Sequence, residues 1–191
     1  MTRIIAGSAG GRRLAVPAGS GTRPTSDRVR EALFSAVEAR LELAGSWVLD
    51  LFCGSGALGL EAVSRGAKGA VLVDSGASAC RAARDNARTL GLEARVVKSP
   101  VERAVARGFA EAPFGLILAD PPYAYPDQSL QAVLAGLAAG GLAAAGGLVV
   151  VERAGSSPEP AWPAGWGPAA VRRYGDTAVW LVDVPARERT E

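Results

Sequence analysis

Five apolar runs, Trp47–Leu51, Ala70–Asp74, Ala94–Lys98, Gly115–Asp120 and Gly147–Glu152, are separated by stretches with the composition and spacing of helices. Strands covered on both faces are apolar at nearly every position, and parallel neighbours need a helical crossover to connect them. The alternation therefore predicts an α/β chain with a doubly wound, mostly parallel sheet. Three of the runs end on a carboxylate, Asp74, Asp120 and Glu152, and Asp50 lies one residue from the end of a fourth. Ligands of open α/β sheets sit beyond the carboxyl ends of the strands, so these acids are expected along one edge of the fold.

The flanking segments close this sheet. Ala154–Ala170 is rich in Pro, Gly and Ser and reads as a loop. Val171–Tyr174 and Ala178–Val184 flank Gly175-Asp176 and are expected as a final antiparallel pair. Trp162 and Trp166 are expected to pack the loop down onto the body. At the other end, Arg3–Val16 carries Gly7, Gly10 and Gly11 between short apolar runs and reads as a small hairpin arm. Thr25 is placed to cap a helix with Val29, Leu33, Val37 and Leu41 along its inner face. Leu130–Val151 is apolar enough to raise a membrane span, but Gly136, Gly140, Gly141, Gly146 and Gly147 divide it into an Ala-rich helix, a turn and a buried strand. A chain of 191 residues, 49% of them hydrophobic, supplies the core of a single domain spanning 1–191.

Composition removes several chemistries. Histidine is absent, which excludes an imidazole base, a Ser/His/Asp relay and a His-ligated metal. The two cysteines, Cys53 and Cys80, are too few and too unevenly spaced for a zinc site or a disulfide framework, so they read as small reduced residues and no metal is expected. The N-terminus lacks the apolar stretch of a secretory signal, and a cytoplasmic protein is expected. Residues 1–34 hold Arg3, Arg12, Arg13, Arg23, Arg28 and Arg30 against Asp27 and Glu31, whereas the rest of the chain is slightly acidic. Such a basic head suits a polyanionic partner.

Gly54, Gly56 and Gly59 in Asp50-Leu-Phe-Cys-Gly-Ser-Gly-Ala-Leu-Gly59 satisfy the spacing of a nucleotide-binding turn. A pyrophosphate at that turn would be repelled by Asp50, four residues ahead of Gly54. S-adenosylmethionine has no phosphate and carries an ammonium and a sulfonium, which an acidic strand end attracts. Asp74, 24 residues after Asp50, is placed to accept ribose hydroxyls.

Asp120-Pro121-Pro122-Tyr123 follows the fourth run. The prolines remove two N–H donors, leaving carbonyls and a carboxylate, an array made of acceptors alone. It matches an exocyclic amine, whose two N–H groups can be held by the Asp120 carboxylate and the Pro121 carbonyl while Tyr123 stacks on the base. Methylation of a ring carbon would need a cysteine nucleophile there, and neither Cys53 nor Cys80 is placed for it.

Arg3-Ile-Ile-Ala-Gly, Gly11-Arg-Arg-Leu14, Arg23-Pro-Thr25 with Arg28 and Arg30-Glu31, the Asp50–Gly56 turn, Asp120–Tyr123 and Arg173-Tyr-Gly-Asp-Thr177 together resemble the bacterial RsmD proteins, a family of 16S rRNA guanine-N2 methyltransferases named for guanine 966. The resemblance implies a class I S-adenosylmethionine-dependent methyltransferase (Rossmann-like) fold, with a seven-stranded, mostly parallel sheet and one antiparallel strand. It further implies methyl transfer to 16S rRNA within the 30S subunit by a monomer. Carried over to this chain, it makes Asp50, Phe52, Gly54, Gly56, Asp74 and Ser75 the cofactor site. Asp120, Pro121, Pro122 and Tyr123 become the catalytic turn, and Arg3, Arg12, Arg13, Arg23 and Arg28 meet rRNA phosphates. Residues 1–22 are then a basic RNA-binding arm and 23–191 the catalytic core. Near the adenine, where relatives usually place Asp or Asn, this chain has Ser99-Pro100-Val101, so backbone groups are expected to serve there.

Other readings share parts of this pattern. DNA adenine-N6 methyltransferases use the same acceptor turn, but no separate block of sequence is set aside for reading DNA. Glutamine methyltransferases usually carry Asn in place of Asp120. A nucleotide-binding oxidoreductase is disfavoured by the lack of a His or a Lys suited to its chemistry. A non-catalytic RNA-binding module would share the basic head.

Overall fold

A computed structural model describes residues 2–16 and 27–186. The chain order is α1 (Asp27–Glu38), β1 (Trp47–Leu51), α2 (Ala57–Ser64), β2 (Gly69–Asp74), α3 (Ala77–Leu90), β3 (Ala94–Lys98), α4 (Val101–Arg107), β4 (Phe114–Ala119), α5 (Asp127–Ala139), β5 (Ala143–Ala154), β6 (Ala170–Tyr174) and β7 (Thr177–Asp183). The strands form one seven-stranded sheet in the order β3-β2-β1-β4-β5-β7-β6, and β7 alone runs against its neighbours. The order reverses between β1 and β4, so the carboxyl end of β1 lies at the switch point where such folds bind ligands.

Each face of the sheet has its own core. Val48, Leu72, Leu116, Leu118 and Leu148 pack with Leu33, Phe34 and Val37 of α1 and Leu60 of α2. Leu49, Leu51, Val71, Ile117 and Val149 pack on the opposite face with Val105 of α4 and Leu130, Leu134 and Leu137 of α5. Both sides of each central strand are thus apolar, which is why the runs show no alternation. Trp162 and Trp166 pack the 154–170 loop against the second core. The apolar stretch expected to break at its glycines becomes α5, a turn and β5, and among the described residues no helix is long and apolar enough to cross a membrane.

Helix α1 departs from its expected face. The stripe Val29, Leu33, Val37, Leu41 repeats every four residues and drifts around a helix of 3.6 residues per turn. The buried face is instead Arg30, Leu33, Phe34, Ala36 and Val37, and Leu41 lies beyond the last turn. Arg30, read from sequence as part of a basic surface, is buried, and its Nη2 donates to the Arg3 carbonyl at 2.7 Å and to Asp27 Oδ1 at 2.7 Å. Thr25, the expected cap, lies outside the described residues.

The arm is a hairpin closed by an Arg3–Arg13 bridge, and Ile4, Ala9 and Leu14 enter the first core. It is fastened to α2. Buried Glu61 accepts from the amides of Ile5 at 2.7 Å and Ala6 at 3.1 Å and from Arg65 Nε at 2.7 Å. Ser64 Oγ accepts from Ala9 N at 2.9 Å and donates to the Ala6 carbonyl at 2.6 Å. Gly7, with φ 81°, passes so close that a Cβ there would lie 1.8 Å from the Ser64 carbonyl oxygen. Glu61→Ala leaves the two amides and Nε of the largely buried Arg65 without their acceptor, with Glu38 still bonded to Arg65 Nη1 at 3.1 Å. We expect a loss of about 3 kcal/mol in urea unfolding, with new proteolytic cleavage in the arm; Glu61→Gln, which keeps one acceptor, should lose less.

Candidate active site and cofactor cleft

The carboxylates at the strand ends gather as the topology requires. Asp50 on β1 is in register with Leu72 of β2 and Leu118 of β4, and Asp120 follows directly on β4. Asp50 is buried, and its Oδ2 accepts from Gly59 N at 2.8 Å. Gly59 is needed there, because a Cβ would sit 2.4 Å from Leu72 Cδ2 and 3.0 Å from Asp50 Cβ. Asp74 uses both oxygens: Oδ2 accepts from Gly54 N at 2.9 Å and Oδ1 from Gly76 N at 2.7 Å. Two amides of the glycine turn are therefore bonded to carboxylates and withheld from a phosphate. A turn with these amides engaged fits a cationic ligand better than a phosphate.

Electrostatics agree with that assignment. Burial, reinforced by the charges of Asp120 and Asp74 and opposed by the Gly59 amide, pushes the Asp50 carboxyl up to about 8. Burial alone raises Asp120 to about 6. Acids with raised pKa values favour a positively charged ligand, which restores the ionised form.

The glycine turn and the Asp-Pro-Pro-Tyr turn are coupled through aromatic contacts. Phe52 has φ 62°, a left-handed conformation costly for an aromatic residue. Its ring meets Tyr125 edge-on, with centroids 4.8 Å apart and planes at 67°. The Tyr125 hydroxyl donates a short hydrogen bond to Glu102, which together with burial raises its pKa. Arg153, buried at the end of β5, donates from Nη2 to the Tyr125 carbonyl at 3.0 Å and to Asp127 Oδ1 at 2.7 Å. Sequence reading missed Tyr125, Glu102 and Arg153. The signal present was the second tyrosine of Pro122-Tyr-Ala-Tyr125, whereas Arg153 looks like the solvated end of a strand.

The other expected site residues fall as follows. Gly54 (φ 54°) and Gly56 (φ 79°) line the turn with Phe52, Ser75 is exposed after β2, and Pro121 is buried while Pro122 and Tyr123 are exposed. Ser99 N donates to the Asp74 carbonyl at 2.9 Å, and its hydroxyl is turned onto the Pro100 carbonyl at 3.0 Å. Both cysteines are buried, and burial raises their thiols, which leaves them unreactive. Among the expected RNA-binding arginines, Arg3, Arg12, Arg13 and Arg28 are all exposed. Arg3 Nε is paired with Asp27 at 2.9 Å. Arg12 donates to the Thr89 and Leu90 carbonyls at the end of α3. Arg23 lies outside the described residues.

A protein-family model described as "Conserved hypothetical protein 95" matches residues 2–183. The chain is similar to the putative rRNA methyltransferase YlbH of Bacillus subtilis, 42% identical over 135 residues that cover 69% of this chain and 71% of that protein. It is similar to ribosomal RNA small subunit methyltransferase D of Escherichia coli, 42% identical over 122 residues covering 63% of this chain and 60% of that protein. The chain belongs to the RsmD family. The solved structure of the putative methyltransferase yhhF from Escherichia coli superposes with a TM-score of 0.83 at 36% identity, covering 97% of this chain and 98% of that one. The fold of this RsmD-family chain is therefore the class I S-adenosylmethionine-dependent methyltransferase fold, as its sheet order indicates.

The residues present fit that cofactor. Asp50 and Asp74 offer negative charge at the switch point, and Gly54, where a Cβ would meet open space, lies on the cleft side of the turn. At pH 6 the Asp50 carboxyl is protonated in the free protein, and a cationic ligand draws it to the ionised form with release of a proton. Cofactor affinity should therefore rise as pH is raised from about 6 to 8 and then level off. Calorimetry in buffers of different ionisation enthalpy should register the released proton, and Asp50→Asn should abolish both effects. An affinity independent of pH across this window would remove Asp50 from cofactor binding.

Proposed function

We propose that this chain transfers the methyl group of S-adenosylmethionine to the exocyclic N2 amine of a guanine in 16S rRNA, with the 30S subunit as its substrate. The observation that carries this reading is the acceptor-only turn beside the cation site. Asp120 makes no carboxylate hydrogen bond among the described residues, two prolines without N–H groups follow it, and Tyr123 presents an exposed ring. The chemistry supplied by the bound cofactor is an electrophilic methyl group. Asp120 and the Pro121 carbonyl hold the two N–H bonds of the amine, which draws its lone pair out of conjugation and toward the methyl donor. After transfer the amine carries an excess proton, and Asp120 is the acceptor at hand.

Two further observations support an amine rather than a ring carbon, and RNA rather than another acceptor. Neither buried thiol is placed or ionised to attack a pyrimidine. The name of the Escherichia coli relative, ribosomal RNA small subunit methyltransferase D, points to rRNA as the acceptor. Exposed Arg3, Arg12, Arg13 and Arg28 supply the phosphate contacts, with Arg3 also paired to Asp27 and Arg12 also bonded to the end of α3.

The deciding experiment is methyl transfer from labelled S-adenosylmethionine to unmodified small subunits and to naked 16S rRNA, followed by nucleoside analysis. N2-methylguanosine is expected on subunits; label in another nucleoside or in protein would overturn the reading. Asp120→Ala should lower kcat by at least about a hundredfold with cofactor affinity nearly unchanged. The Asp120 carboxyl, raised to about 6 in the free protein, loses acceptor strength when protonated, so the wild-type rate should fall as pH drops below about 6, with the bound cation moving the fall to lower pH. Asp120→Asn, which has nothing to titrate, should be slow and flat across the same range.

A further inference from the structure

Facing Tyr123 across a cavity of about 410 Å³ is a wall that the methyl-transfer chemistry does not use. It is lined by Ala154, Gly155 and Ser156, which follow β5, and by Arg173, Gly175 and Asp176 from the β6–β7 turn. These segments are distant in sequence and locked together. Gly155 N donates to the Asp176 carbonyl at 2.6 Å, and Arg173 Nη1 donates to the Gly155 carbonyl at 2.6 Å. A Cβ on Gly155 would lie 3.2 Å from the Asp176 backbone, a tight fit that a side chain would have to push slightly apart. The wall is pre-organised and its volume suits one nucleotide-sized ligand.

We propose that this wall is the subsite for the ribose-phosphate of the nucleotide being methylated, with Arg173 on its phosphate; the proposal rests on the RNA-methylation reading above. A base stacked on Tyr123 must carry its sugar and phosphate away from Asp120, and the cavity beside Tyr123 is where they have room. One N–H of Arg173 is committed to Gly155, and the rest of the guanidinium fork keeps donors suited to a phosphate. Arg172, the neighbour of Arg173, projects from the opposite face of β6 and provides a control of equal charge.

The test measures equilibrium binding of small subunits at several salt concentrations, separately from methyl transfer, for the wild type, Arg173→Gln and Arg172→Gln. Glutamine removes the charge, and because its amide ends nearer the backbone than Arg173 Nη1 the Gly155 contact is also lost, so the salt slope rather than the affinity alone carries the test. Arg173→Gln should weaken binding and raise KM about tenfold, reduce the slope of log affinity against log salt by about 1, and leave kcat and cofactor affinity within about twofold. Arg172→Gln should change KM less than about threefold. An unchanged salt slope in Arg173→Gln would reduce its role to shaping the turn and overturn the proposal, as would an equal effect of Arg172→Gln, which assigns the binding to general charge of the edge strand. A wild type that binds subunits but forms no methylguanosine overturns the proposed function and leaves the binding comparison to decide the subsite.

Discussion

The cleft depends on two carboxylates that bind the chain's own amides. Asp74 takes Gly54 N and Asp50 takes Gly59 N, so the turn between β1 and α2 is gripped at both ends by strands that are neighbours in the sheet. A hydrogen bond from an amide to a carboxylate is stronger than one between neutral groups, and these are at least partly shielded from water. Three consequences follow from the same bonds. Helix α2 starts at a fixed place, Phe52 is held in a left-handed conformation that an aromatic residue avoids elsewhere, and the amides that could have bound phosphate are consumed.

Helix α2 then serves as the joint between the cleft and the rest of the molecule. Its first turn faces Asp50 through Gly59, and its last turn carries Glu61, Ser64 and Arg65, which fasten the N-terminal arm. The arm is thus placed by the helix that borders the cofactor turn. Buried arginines do comparable work. Arg30 ties α1 to the arm, and Arg153 ties the loop after Asp120 to β5, each through one nitrogen shared between a carbonyl and a carboxylate. The remaining buried Nε and Nη1 atoms of both have no partner among the described residues. Burying a guanidinium so incompletely satisfied costs stability, and what it secures in return is the position of two segments that border the cleft.

Much of this was legible in the sequence, for identifiable reasons. The apolar runs marked the strands because both faces of the sheet are covered, and the acids at their ends marked the cleft because strand ends in such folds converge there. Gly175-Asp176, in reverse order to the common hairpin signal, still makes the β6–β7 turn, because Gly175 at the first loop position supplies the positive φ of 57°. Buried charge was not legible. Arg30 and Arg153 look like surface residues in a string of letters; carbonyls and carboxylates, most of them many residues away, decide otherwise. Tyr125 was missed for a related reason. Its value lies in touching Phe52, and a contact across the cleft leaves no local pattern.

The same electrostatics link the two halves of the cleft. Asp50, Asp74 and Asp120 lie close enough for the second and third to raise the pKa of the first, a repulsion that protons relieve. A bound cation relieves it instead. In the proposed reaction, a cation that favours the ionised form of the nearby carboxylates prepares Asp120 to accept an N–H bond as well as holding Asp50 charged. Without histidine, the chain has no side chain whose ordinary pKa lies near neutrality. Burial and mutual repulsion move aspartates into that range, and the charge of the ligand then sets when they ionise. Of the two shifted acids, Asp50, raised to about 8, is the one whose ionisation a cation changes most near neutrality, whereas Asp120, raised to about 6, is already largely ionised there.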